Sequence, residues 1–62
     1  MKLLGKLNAR SLVVGDLIEL AGFLSVVTSV FVGGAKVRIE TDKLHPFELC
    51  CLDKVKVYSS LN

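Results

Sequence analysis

The segment Gly33-Gly34-Ala35-Lys36-Val37-Arg38-Ile39-Glu40-Thr41 alternates charged and apolar side chains residue by residue behind a pair of glycines. A period of two places Ala35, Val37, Ile39 and Thr41 on one side of an extended chain and Lys36, Arg38 and Glu40 on the other. A helix would scatter those charges around its circumference, so the segment reads as a half-buried strand. It is entered through a turn at Gly33-Gly34, where both residues tolerate positive φ.

The same reading extends over most of the chain. Residues 16–21 form a first strand, with Ile18 and Leu20 facing one way and Glu19 the other, closed by Ala21-Gly22 as a tight turn. Residues 23–32 form a second strand, long enough to bend and serve two halves of a barrel. It is apolar on both faces: Leu24, Val26, Val30 and Val32 alternate with Phe23, Val27 and Phe31. A small core takes one set, so Phe23, Val27 and Phe31 read as an apolar interface stripe unless a bend buries both sets. The alternating segment is the third strand. After a turn beginning at Asp42-Lys43, residues 45–52 form a fourth strand with Phe47, Leu49 and Cys51 inward and Pro46 near its start, where a missing donor matters least. Asp53-Lys54 breaks that run, and residues 55–58 are a last alternating strand.

Residues 1–11 have the only helix-like pattern: Leu3, Leu4 and Leu7 lie on one side, and Lys2, Lys6 and Arg10 recur at i, i+4, i+8 on another. Gly5 and Asn8 weaken it. The segment is expected to be a short arm, either basic and directed at phosphates or an acidic partner, or a turn whose leucines cap an open barrel end.

Five short strands joined by tight turns, one of them long and bent, fit an all-β fold: a small five-stranded, partly open SH3-like barrel over residues 12–59 behind the arm 1–11. A sandwich needs more strands and an OB-fold longer ones. At 62 residues the chain holds one domain, near the lower size limit for a single hydrophobic core. An apolar fraction of 52% on so small a surface implies that some apolar area is covered by another copy or a partner.

Charge narrows the function classes. The formal net charge is +2, but the first ten residues carry Lys2, Lys6 and Arg10 with no acid, while the rest carry five basic and six acidic groups. The barrel is therefore close to neutral, and basic residues matter by position. Lys36 and Arg38 of the third strand and Lys54, Lys56 and Tyr58 of the last all fall on outward positions. Together with Lys2, Lys6 and Arg10 they are the candidate nucleic-acid contacts, the cations for phosphates and Tyr58 for stacking. The competing reading is a solvated face that discourages edge-to-edge aggregation.

Catalysis lacks a constellation: His45 is the only histidine, no nucleophile motif occurs and the acids are scattered, so no enzyme activity, catalytic residue or cofactor is expected. His45, Cys50 and Cys51 offer at most two ligands to one side, so no metal site is expected either. Adjacent Cys50 and Cys51 point to opposite faces of a strand and make a strained disulfide, which suits a reducing cytoplasm. The charge at Lys6 and Arg10 interrupts any leader-like pattern. The uncharged run 20–35 is shorter than the ~20 residues a membrane helix needs and contains Ser25, Thr28, Ser29 and glycines, so no membrane association is expected.

The stretch Leu12-Val13-Val14-Gly15-Asp16-Leu17-Ile18-Glu19-Leu20, with Gly22, Val26-Val27 and Val30, resembles the opening of the N-terminal, KOW-like domain of the elongation factor P family. There a Leu-x-x-Gly-Asp turn feeds the first strand and a glycine hairpin precedes the second. The similarity continues into Gly33-Gly34-Ala35-Lys36-Val37-Arg38 and covers about residues 11–40. The family's longer glycine-rich loop, with a basic tip for modification, is here only Gly33-Gly34, and Lys36 falls in the following strand. The resemblance thus implies a KOW-like or SH3-like barrel whose relatives contact RNA, ribosomes or proteins, and not the translation-factor activity. Stand-alone barrels of this length also resemble small accessory proteins of phage and plasmid genomes. The expected function is a non-catalytic nucleic-acid-associated module; the alternative is a protein-interaction or inhibitor module, homodimeric or partner-bound through Phe23, Val27 and Phe31.

Overall fold

The computed structural model describes residues 2–59. They form six strands, β1 (Lys2–Asn8), β2 (Leu17–Leu20), β3 (Phe23–Gly33), β4 (Lys36–Thr41), β5 (Phe47–Cys50) and β6 (Lys54–Ser59), with one 3-10 turn at Ala9–Ser11. All pairings are antiparallel, in the order β1-β6-β2-β3-β4-β5, and the sheet is not closed. Strands β2 to β5 are a meander, and β6 returns to lie between β1 and β2.

The additional strand is β1, where a helix-like arm was expected. Seven residues cannot sustain an isolated helix, whereas β6 offers a free edge and a full ladder of hydrogen bonds. The leucine spacing that mimics a helical stripe comes from a bulge: the β1–β6 register shifts between Leu3 and Gly5, so Leu4 is an extra residue. Gly5 lies at φ +147°, which side-chain-bearing residues rarely adopt.

A second bulge explains why β3 is apolar on both faces. Its first half pairs with β2 and its second half with β4, the register shifting between Val27 and Ser29. Before the shift Ser25 and Val27 are buried; after it Val30 packs on the core and Phe31 is exposed. The long strand pairs with both halves of the sheet, and the register shift inverts which alternate set faces inward.

The core comprises Ala9, Leu12, Ile18, Val27, Val37, Ile39, Val55 and Val57, with Leu20, Val30, Leu49 and Cys51 packed against it. Of the inward set expected on β4, Val37 and Ile39 are buried, but Ala35 is exposed. The β3–β4 turn falls on Gly34-Ala35, one residue later than expected, because Gly33 remains in the ladder opposite Lys36.

Three aspartates hold the connections by accepting backbone N–H groups. Asp16 Oδ2 accepts from Val13 at 3.0 Å, Asp42 Oδ1 from Val26 at 2.9 Å, and Asp53 Oδ2 from Cys50 at 3.0 Å. Half of the acids in the chain are therefore turn or strand-end locks. No helix among the described residues is long and apolar enough to cross a membrane.

Candidate nucleic-acid interface

The sheet order places the expected basic residues on strands that are not all neighbours. β4, bearing Lys36 and Arg38, and β6, bearing Lys54 and Lys56, are separated by β2 and β3. Lys36 and Arg38 lie in an environment of balanced charge. Arg38 stands opposite Glu48 on β5, and its Nη2 is 3.7 Å from Glu40 Oε2, while Lys36 Nζ donates to Cys50 Sγ at 3.8 Å. Arg10 follows β1 in the 3-10 turn, where its N–H donates to the Cys51 carbonyl, and borders a depression with Gly34, Ala35, Cys50, Cys51 and Leu52.

Around β6 the positive charge is less compensated. Alternation along the strand turns Val55 and Val57 into the core and presents Lys54, Lys56 and Tyr58 outward. Lys6 on β1 is directly opposite Lys56, and Asn8 is opposite Lys54. Opposed residues in an antiparallel ladder have Cβ atoms about 4.5–5.5 Å apart, and like charges in that relation destabilise the pair. Lys2, opposite Ser59, falls on the other face of the strand pair.

On its other side Lys56 is paired with Glu19 of β2, whose Oε1 also accepts from Tyr58 Oη at 2.6 Å. The single ion pair among the described residues is Arg38–Glu40, so Lys6, Lys54 and Lys56 have no acidic partner within contact distance. The Glu19 hydrogen bond, with smaller contributions from desolvation and the carboxylate charge, holds the Tyr58 phenol above its ordinary pKa of 10.0 and therefore neutral. The ring lies in the row Leu3–Tyr58–Leu17, next to the row Lys6–Lys56–Glu19.

Comparison of the chain with protein-family models, curated proteins and solved structures gives no match. The site accordingly stands on its own geometry.

The apolar residues expected to form one stripe are dispersed. Val27 is 1% exposed and belongs to the core, whereas Phe31 is 68% and Phe23 62% exposed. Phe23 closes the β2–β3 hairpin opposite Leu20, and Phe31 lies beyond the β3 bulge opposite Arg38. Strict alternation over the whole strand would have joined them; the bulge separates them.

His45 is exposed in the loop before β5, and the described residues contain no cluster of three His, Cys, Asp or Glu side chains able to hold a metal ion. Cys51 Sγ donates to the Gly34 carbonyl at 3.4 Å and packs on the core, while Cys50 is exposed. Sequence reading missed Glu19 as the residue that fixes Tyr58. Both occupy outward positions of alternating strands, but only the β2–β6 pairing, spanning 39 residues, brings them together.

Proposed function

We propose that this chain is a non-catalytic, nucleic-acid-binding module built on an SH3-like barrel, with Lys6, Lys54 and Lys56 contacting phosphates and Tyr58 offering its ring for stacking. The barrel reading is supported by the β2–β5 meander with β6 returning to β2, to which β1 is an added strand. The KOW-like resemblance of residues 11–40 points the same way, since such barrels commonly contact RNA or ribosomes.

The observation that carries the functional reading is the placement of Lys6 directly opposite Lys56, with Lys54 on the same outward side and no ion pair to any of the three among the described residues. The Lys6–Lys56 opposition is unfavourable to folding and is offset in part by Glu19 on the other side of Lys56; an anionic polymer passing over the face compensates it further. The Glu19–Tyr58 hydrogen bond occupies one oxygen of the carboxylate beside Lys56 and holds the phenol in place.

The test is a titration with fluorescently labelled single-stranded DNA, duplex DNA and structured RNA at several salt concentrations. Three phosphate contacts correspond to a slope of log K against log salt of roughly −2 to −3. Lys6→Gln and Lys56→Gln should each flatten that slope by about one while remaining folded. Absence of binding at low salt, or a slope indifferent to both substitutions, overturns the assignment.

A further inference from the structure

The outer surface of β3, β4 and β5 takes no part in that site and has a charge pattern of its own. Along β4 the outward positions read Lys36, Arg38, Glu40, and Asp42 follows one residue past the strand, so the strand is positive towards the Gly34 turn and negative towards its far end. Phe31 lies beside Arg38, Ser29 beside Glu40, and Glu48 on the other side of Arg38. Phe31, Gly33, Lys36, Arg38 and Glu48 line a shallow depression. The Phe31 ring lies over Gly33, where a Cβ would come within 3.3 Å of it, and its remaining surface is open to solvent.

We propose that this face joins two copies of the chain about a two-fold axis that crosses β4 between Arg38 and Glu40. Lys36 and Arg38 followed by Glu40, with Asp42 just past the strand, are complementary to the same run laid antiparallel on a symmetry mate, as an isologous contact requires. Arg38 of each copy then meets Glu40 of the other, and Lys36 approaches the Asp42 carboxylate of the other, one oxygen of which is held by the Val26 N–H. The same operation sets Phe31 on Ser29 of the second copy, whose small side chain leaves room for the ring. An axis running along the strands instead would stack Arg38 on Arg38, so the charge pattern selects one orientation as well as one partner. The Arg38–Glu40 contact within one chain is long and solvent-exposed, with side chains 60% and 44% accessible, and exchanging it between copies sacrifices little.

Sedimentation equilibrium from micromolar to millimolar protein, without nucleic acid, tests this independently of the lysine site. The wild type should pass from monomer to dimer, and added salt should weaken the dimer. Arg38→Glu should raise the dissociation constant at least about tenfold, because each substitution occurs twice across the axis. Phe31→Ala should weaken it as well. The double variant Arg38→Glu with Glu40→Arg exchanges the two charges and should restore dimerisation; circular dichroism establishes that each variant is folded. A wild type that stays monomeric at millimolar concentration overturns the proposal, and so does a dimer that Arg38→Glu leaves intact or that the double variant fails to restore.

Discussion

Ser25 is 1% exposed on the inner side of β3, opposite Ile18, and its hydroxyl has no hydrogen-bond partner among the described residues. A buried, unsatisfied hydroxyl costs more than the interaction it fails to make, so Ser25→Ala should stabilise the fold by about 1 kcal/mol. The midpoint of urea unfolding should rise at unchanged m-value. Tyr58 shows the opposite economy: its hydroxyl is satisfied by Glu19 across the sheet. As the only tyrosine it titrates without interference, and its phenolate absorbance should develop at higher pH than in an unfolded chain. A pKa raised in the folded state means that the contribution of this bond is complete at neutral pH and is lost as pH rises through the shifted value. Glu19→Gln should return the titration towards 10.0; an unshifted wild type would show that the bond does not persist in solution.

The strands of the meander were legible because each couples an alternating pattern to a local turn. Ala21-Gly22 is such a case: both residues have positive φ, at 53° and 82°, giving the two-residue turn that matches strand twist. β1 was not legible, because its partner β6 lies at the other end of the sequence and its bulge disguises a strand as a helical stripe. The bulge in β3 concealed the burial of Val27 in the same way, by changing the phase of an otherwise regular alternation. In β1 the distortion rests on Gly5. Open space surrounds its Cβ position, so Gly5→Val should destabilise through the backbone alone, by about 1–3 kcal/mol. For a domain of this size that lowers Tm by roughly 4–8 °C per kcal/mol, and calorimetry of the variant would reveal it. An unchanged Tm would show that β1 can pair without the bulge.

Over the whole molecule, a net charge of +2 conceals a division. The β4–β5 surface carries mixed charges, whereas Lys6, Lys54 and Lys56 gather where β1 meets β6. Which charges are cross-strand neighbours depends on strand order, and that information lies in long-range pairing rather than in local pattern: Lys36 and Arg38 stand on a strand that does not pair with β6. The division also gives a way to distinguish a binding surface from a merely solvated one. If the Lys6–Lys56 opposition exists for an anionic ligand, stability and affinity should move in opposite directions when it is relieved. Lys6→Glu replaces a repulsive cross-strand pair by an attractive one and should stabilise the free protein by roughly 0.2–1 kcal/mol. The same substitution should lower nucleic-acid affinity and reduce its salt dependence. Paired denaturation and titration measurements on this one variant decide the matter, since a solvated lysine pair would gain the stability and lose nothing in exchange.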